Sequence, residues 1–275
     1  MALDLSAHAA SLFDQLRYSP TPKRVRASYD DRPVLDTRDA YLVWEPRRVV
    51  PMYGVPPGDV LAELTPCPTP EVPGDLPPVL GPARFGWHFH DGGSFTMTVA
   101  GKAFEAQAFA PADPDLDGRL VVDWAPFDWV EEEEPVTGHP HDPFKRLDVL
   151  PSSRHVVVRL GDQVLADTTR AVALYETGLP VRWYVPADDV RTDLLTPSEA
   201  TSTCAYKGHA SYFSLAGSDD ETVDLAWTYR APLHEAAAVK DLLCFYAERT
   251  DLTVDGVDVP RPDTLWRSRR QAEHA

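Results

Sequence analysis

The stretch from Thr203 to Tyr212 holds the densest group of side chains that could do chemistry in this chain. A thiol, a lysine, phenols and hydroxyls can supply a nucleophile, a cation that favours the thiolate, and donors for an oxyanion or a phosphate. The alternative is that the thiol and the phenols belong to the core and that the lysine is a surface charge. The residues that we assign to a site in this stretch are Thr203, Cys204, Tyr206, Lys207, Gly208 and Tyr212.

Residues outside this stretch are candidates for the same site. Glu176 ends the apolar run AVALY before a turn, where a partly buried carboxylate can be a general acid or base, or can simply bond the turn or an arginine. Arg182 could bind a carboxylate or phosphate through two parallel hydrogen bonds, and a surface Arg-Asp pair is the alternative. We predict catalytic roles for Cys204, Glu176 and Lys207, and ligand-binding roles for Arg182, Tyr184, Asp189, Trp227 and the other site residues named above.

The chain contains two copies of one unit, and this repeat decides where a site is expected. The string VVVRLGDQVLADTTRAVALYE repeats VRASYDDRPVLDTRDAYLVWE, with Glu176 opposite Glu45. The alignment continues with Tyr184 opposite Tyr53. Where the second copy has the CAYKG segment, the first has the proline-rich stretch TPCPTPEVPGDLPP. A single active pocket is therefore predicted in the second copy.

Length and composition predict a globular protein of two domains. Of 275 residues, 43% are apolar and 10% are aromatic, which is enough for a core in each half. We place an N-terminal helix at residues 1–19, a degenerate first repeat at 20–138, and a complete second repeat with its linker and C-terminal tail at 139–275.

Short strands dominate the pattern, so we predict a mainly β fold with few helices. The 27 prolines oppose long helices. Residues 3–17 have helical apolar spacing and are predicted to form one amphipathic helix on the first repeat, while HEAAAVKDLL and the tail after Thr264 are further helical candidates. Hairpins are predicted at three two-residue turns, Asp30-Asp31, Gly161-Asp162 and Asp255-Gly256.

Charge and cysteine content limit the expected partners. A net charge of −17 repels phosphate backbones and anionic lipids, so we expect neither bulk nucleic acid nor a membrane as a partner. Three cysteines without a CxxC pair, and no apolar span or signal peptide, indicate the reducing cytoplasm. The expected partner is a small molecule; the sequence identifies no cofactor and leaves the oligomeric state open.

Two histidine pairs have the spacing of metal ligands, His88 with His90 and His139 with His141. Neither pair brings a third or fourth ligand with it, so we expect no metal. The chain also has no GxGxxG, GxxxxGK[ST], GxSxG or HExxH motif, which removes the usual support for dinucleotide, P-loop, serine-hydrolase and zincin functions.

The second copy resembles the domain-of-unknown-function 427 family in its motifs. These are, in order, E-T-G-L-P, R-x-Y-x-P-x-x-D-V, T-x-C-x-Y-K-G-x-A-x-Y, a tryptophan, and F-Y-x-E-R-x-D. Ala205 stands where the family commonly has proline, and the first copy, which resembles the tandem members, lacks the Cys-x-Tyr-Lys-Gly segment. The resemblance implies two tandem β-tent domains, akin to methionine sulfoxide reductases of the second class.

Three functions are compatible with these residues. The first is a polar, aromatic-lined pocket for a small anionic or carbonyl-bearing metabolite, with catalysis by Cys204 or Glu176 as an open question. The second is a non-catalytic module that binds a peptide or protein. The third, nucleotidyl transfer, is a label that the resembled family also carries, and it needs Mg²⁺ on paired carboxylates, which the sequence does not show.

Overall fold

The computed structural model of the chain describes residues 2–74, 76, 78–81, 86–217, 219 and 222–264. The described residues up to Asp142 form one compact unit, and those from Pro143 onwards form a second. In these ranges the chain has 22 strands in four antiparallel sheets, which confirms the predicted mainly β class.

The first unit contains one short α-helix, eleven strands and two 3-10 helices among its described residues. The helices are α1 (Leu5–Ser11), Pro57–Asp59 and Pro114–Leu116. The strands are β1 (Arg17–Thr21), β2 (Val25–Tyr29), β3 (Arg32–Thr37), β4 (Ala40–Trp44), β5 (Met52–Val55), β6 (Glu63–Cys67), β7 (Gly92–Val99), β8 (Lys102–Pro111), β9 (Leu120–Val122), β10 (Asp128–Glu131) and β11 (Glu134–Pro135).

The second unit contains eleven strands and three 3-10 helices among its described residues. The helices are Ala187–Asp189, Thr192–Leu194 and His234–Val239. The strands are β12 (Leu147–Pro151), β13 (Val156–Leu160), β14 (Gln163–Thr168), β15 (Val172–Glu176), β16 (Arg182–Val185), β17 (Leu195–Cys204), β18 (Gly208–Leu215), β19 (Ala226–Tyr229), β20 (Leu243–Phe245), β21 (Asp251–Val254) and β22 (Val257–Val259).

Each strand of the first unit has a counterpart in the second. The seven-stranded sheets have the orders β1-β4-β5-β9-β8-β7-β6 and β12-β15-β16-β20-β19-β18-β17. The four-stranded sheets have the orders β3-β2-β10-β11 and β14-β13-β21-β22. The two units therefore share one topology.

The three predicted hairpin turns are confirmed. β2 pairs with β3 up to Tyr29 and Arg32, which leaves a turn of two residues, Asp30 and Asp31, with φ of 50° and 59°. Two consecutive positive φ angles suit the right-handed twist of a hairpin, and aspartate tolerates them better than most residues. The turns between β13 and β14 and between β21 and β22 also contain two residues each.

Side chains alternate across the seven-stranded sheet of the second unit, so its two faces have different cores. One face packs against the four-stranded sheet through apolar residues such as Trp183, Val185 and Phe245. The opposite face carries a second cluster with more polar atoms, which includes Tyr184, Trp227 and Cys244. We call this opposite face the outer face.

The N-terminal helix is shorter than predicted, and its predicted packing is wrong. It spans Leu5–Ser11 instead of residues 3–17, because Arg17 already begins β1. Its described side chains are exposed, including Leu5 at 74%. The stretch predicted as a helix from His234 forms a 3-10 helix, His234–Val239, and the predicted C-terminal helix lies outside the described residues beyond Thr264. In the described part of the chain, no helix has the length and apolar character needed to cross a membrane.

A threonine-aspartate hydrogen bond recurs at the same place in both units. Thr37 Oγ1 donates to Asp59 Oδ2 at 2.6 Å, and Thr168 Oγ1 donates to Asp189 Oδ2 at 2.6 Å. Both threonines are buried, at 2% and 3% exposure. The bond ties the end of a strand of the small sheet to the 3-10 helix that follows β5 or β16.

We expect Thr37→Val and Thr168→Val each to lower the free energy of unfolding by about 1 to 2 kcal/mol, because each leaves a carboxylate without a buried donor. Calorimetry of the full chain measures the loss. The matched control is Thr65→Val, at an exposed strand position. An effect of Thr168→Val no larger than that of the control would contradict the structural role.

Candidate functional site

A buried carboxylate bonded by two lysines is the centre of the candidate site. Glu176 is the last residue of β15, and its Oε2 accepts a hydrogen bond from Lys207 Nζ at 2.5 Å. Lys145 Nζ, which precedes β12, lies 3.1 Å from Oε1 of the same carboxylate. The side chains of Glu176 and Lys207 are 5% and 11% exposed, and that of Lys145 is 24% exposed. The three groups together carry one excess positive charge.

Burial disfavours both charged groups, but their pairing outweighs it. Burial acts to raise the pKa of the Glu176 carboxyl, yet the charges of Lys207 and Lys145 bring that pKa below its usual value. Burial acts to lower the pKa of the Lys207 ammonium, yet Glu176 and Cys204 bring that pKa above its usual value. Carboxylate and ammonium are therefore both ionised at neutral pH.

Lys207 reaches Glu176 because the tip of a tight hairpin is folded into the protein interior. β17 and β18 pair as far as Cys204 and Gly208, which leaves three residues for the turn. Hairpin turns usually lie at the surface. Here all three turn residues are buried, namely Ala205 at 0%, Tyr206 at 4% and Lys207 at 9% exposure.

Gly208 lets the hairpin make this turn. Its φ of +90° lies in the left-handed region, which a side chain would strain. A Cβ atom there would also meet the carbonyl oxygen of Ala231 at 3.4 Å. The backbone amide of Leu233 donates to the carbonyl of Lys207, so the same segment holds the tip in place.

Cys204 is the accessible thiol of the cluster. It is partly exposed, and it lies close enough to Lys207 to help raise the pKa of that ammonium. Cys244, by contrast, is fully buried on the same outer face, and burial raises its pKa to about 12. Of these two thiols, Cys204 is the one that can act as a nucleophile.

Arg182 has a protein partner in the position where the sequence predicted a ligand. Its guanidinium donates two hydrogen bonds of 2.7 Å each to the Glu248 carboxylate, and both side chains are buried. Burial acts to lower the pKa of Arg182, yet Glu248 holds that pKa above its usual value. Thr264 Oγ1 also donates to Glu248, at 2.6 Å. Arg182 thus forms an internal ion pair, and its ligand-binding role stays a prediction.

The predicted aromatic walls are part of the interior. Tyr184 is fully buried, and its hydroxyl accepts a hydrogen bond from Trp227 Nε1 at 3.1 Å. Burial raises the pKa of Tyr184 well above its usual value, so its hydroxyl stays neutral. Tyr184 and Trp227 meet edge to face, with ring centroids 6.2 Å apart, and the turn residue Tyr206 is buried as well.

The hydroxyls of β17 and β18 lie towards solvent. Ser202 Oγ and the Tyr212 hydroxyl are 2.7 Å apart, and Thr203 Oγ1 lies 2.9 Å from His209 Nδ1. Thr203 and His209 are directly opposite each other across the two strands. These contacts place the predicted residues Thr203 and Tyr212 at the rim of the hairpin.

Asp189 is not brought into the cluster. It ends the 3-10 helix Ala187–Asp189, where its carboxylate accepts a hydrogen bond from Thr168 and pairs with Arg170 at 2.7 Å. Asp189 therefore takes part in the recurring threonine-aspartate bond, and its ligand-binding role stays a prediction.

The first unit keeps the carboxylate but changes its partner. Glu45 is fully buried, and Nδ1 of His88 lies 2.9 Å from its Oε1. Arg48 Nε lies 3.5 Å from Oε2 of Glu45. His88 belongs to the connection between β6 and β7, which corresponds to the hairpin turn that carries Lys207. In both units the same connection thus delivers a basic side chain to the same carboxylate.

Strand pairing corrects the alignment of the two copies after this carboxylate. Tyr41 pairs with Gly54 as Val172 pairs with Tyr184, so Gly54 and not Tyr53 is the counterpart of Tyr184. By the same register, Met52 is the counterpart of Arg182. The alignment of the two copies therefore shifts by one residue before Met52, and the predicted match of Tyr53 to Tyr184 is wrong.

Two residues of the site were missed in the sequence. Glu248 is the glutamate of the F-Y-x-E-R-x-D motif. Its presence in that motif was the signal that could have identified it as the charged partner of Arg182. Lys145 is in the linker HPHDPFKRLDV, and no spacing rule singles it out.

Residues 148–256 match the model of the family described as Domain of unknown function (DUF427). This stretch contains Cys204, Lys207, Glu176 and Glu248, and Lys145 precedes it. No curated protein matches the chain. The tandem and β-tent assignments stay predictions.

The histidine pairs are not part of any larger group of metal ligands in the part of the chain that the structure describes. The described residues contain no group of three or more histidine, cysteine, aspartate or glutamate residues placed to hold a metal ion. Of the predicted pairs, His88 contacts Glu45, and His90 Nδ1 lies 2.9 Å from the Asp91 carbonyl.

An open depression reaches the carboxylate from outside. It is lined by Arg146, Asp148, Tyr175, Glu176, Thr177 and Leu179. The charge of Arg146 is balanced there by Asp148, whose Oδ1 lies 2.8 Å from its Nη2. Glu176 thus belongs both to the interior cluster and to the wall of this depression.

Proposed function

We propose that the second unit binds a small anionic or carbonyl-bearing metabolite and that Cys204 is its nucleophile. The observation that carries this proposal is a partly exposed thiol close to a buried ammonium, which in turn bonds a buried carboxylate. An excess positive charge favours an anion at this place, and a desolvated lysine is a strong donor.

In the proposed reaction, a thiol adds to a carbonyl group, and three residues have separate roles. The Cys204 sulfur forms a bond to the carbonyl carbon of the metabolite, and the electron pair of the C=O double bond moves to its oxygen. The Lys207 ammonium donates a hydrogen bond to that oxygen, where negative charge develops. The thiol proton is transferred to this oxygen, so the adduct is neutral and the step balances, while Glu176 holds the Lys207 ammonium in place.

The test is native-state alkylation at neutral pH with iodoacetamide, read by mass spectrometry at each cysteine. We expect Cys204 to react in the folded protein and Cys244 to react only after denaturation, since Cys244 is buried and its pKa is raised to about 12. Lys207→Met should slow the reaction of Cys204. Resistance of Cys204 until the protein unfolds would favour the non-catalytic module instead.

Nucleotidyl transfer gives a separate outcome. It would appear as Mg²⁺-dependent thermal stabilisation of the full chain by nucleoside triphosphates. Stabilisation by small carbonyl compounds or carboxylates without Mg²⁺ supports the proposed function.

A further inference from the structure

The structure points to the substrate class of this site: we infer that the metabolite carries a carboxylate and that Lys145 receives it. The inference rests on the proposed function. Two ammonium groups share one carboxylate, so a bound group of charge −1 neutralises the cluster. A dianion such as phosphate would leave excess negative charge in a partly buried place, which is costly.

The contacts of Glu176 show which lysine is available to the ligand. Lys207 is buried and already bonds Glu176 at 2.5 Å. Lys145 is the outer of the two lysines, with the longer contact of 3.1 Å. An ammonium has three protons, so Lys145 can keep Glu176 and still donate to a carboxylate.

The surroundings of Lys145 favour entry from one side. The depression described above opens at Glu176, and its own arginine, Arg146, is already paired with Asp148. The excess positive charge beside this depression therefore comes from the two lysines that bond Glu176. Because the whole protein has a net charge of −17, it does not attract anions over long distances. The local positive charge therefore favours an anion only at close range.

Two alkylating reagents test the inference without knowledge of the metabolite. Iodoacetate and iodoacetamide both form a C–S bond to a thiolate with loss of iodide, and they differ by one negative charge. Rates at Cys204 are measured with each reagent in the full chain, and the ratio is compared with the ratio at Cys67, a partly exposed cysteine of the first unit.

We expect the iodoacetate-to-iodoacetamide ratio at Cys204 to exceed that at Cys67 by about three- to tenfold at low salt. Lys145→Gln should remove most of this preference, because it should slow the reaction with iodoacetate much more than the reaction with iodoacetamide. Lys240→Gln, at an exposed lysine of the same unit, is the matched control and should change neither rate.

The outcomes separate the inference from the proposed function. If neither reagent modifies Cys204 in the folded protein, the proposed function fails. If both modify it but the ratio equals that of Cys67, the thiol is reactive and the carboxylate inference is overturned. A preference that survives Lys145→Gln and disappears in Lys207→Met overturns the role given to Lys145.

Discussion

Glu248→Gln should lower the free energy of unfolding of the second unit by about 3 to 5 kcal/mol. The change leaves the Arg182 guanidinium in the interior without its anion, and Arg182 is only 7% exposed. Loss of one partner of a buried ion pair costs far more than loss of an exposed pair, because the remaining charge stays desolvated. Hydrogen exchange of peptides from the second unit, measured in the full chain, reports the loss.

The double variant Arg182→Met with Glu248→Leu should recover most of this stability. Apolar residues of similar volume often replace a buried ion pair at little cost. The first unit supports the choice, because Met52 occupies the position that Arg182 has in the second. Asp193→Asn, which breaks an exposed pair with Arg191, is the control and should have little effect on stability. A double variant as unstable as the single one would refute the ion-pair argument.

Glu176→Gln should destabilise the second unit more than Lys207→Met. Removal of the carboxylate leaves Lys207 without the only acidic partner that the described residues give it, so we expect a loss of about 3 kcal/mol or more. After Lys207→Met the carboxylate still has Lys145, at 3.1 Å, so the loss should be smaller. Equal losses would show that Lys145 does not hold the carboxylate.

The same cluster predicts how stability depends on pH. The pKa of Glu176 is lowered from 4.5, so its contribution is complete above that pH and disappears as the pH falls through the lower native value. The pKa of Lys207 is raised from 10.5, so its contribution is complete below that pH and disappears as the pH rises through the higher native value. The difference in stability between wild type and Glu176→Gln should therefore be constant near neutrality and shrink in acid. A difference that grows in acid would contradict the lowered pKa.

Local chemistry explains which parts of the fold the sequence predicted. The turn Asp30-Asp31 and its relatives depend on backbone angles that few residues tolerate, so the residue types are informative. The N-terminal helix was overestimated because apolar spacing alone cannot show that Arg17 begins a strand. The alignment of Tyr53 with Tyr184 was wrong because a tyrosine in each copy suggested a match that the strand pairing does not make.

Some residues of the candidate site could be identified from the sequence, and some of their contacts could not. The repeat and the position of Glu176 at the end of a strand identified a carboxylate, and the hairpin segment identified Lys207. Whether Arg182 contacts a ligand or Glu248 depends on two segments that are distant in sequence and meet on one sheet face. The bond between Asp189 and Thr168 was not predicted, because Thr168 belongs to the other sheet.

The buried connection between β17 and β18 makes the site transferable in principle. Both units present the same carboxylate at the end of the same strand, and both fill the space above it from the same loop, with His88 in one and Lys207 in the other. The sheet therefore supplies a constant carboxylate, and the loop supplies a basic side chain that differs between the units. A chimaera in which the first unit carries the short hairpin turn would show whether this turn alone brings a lysine and a thiol close to Glu45.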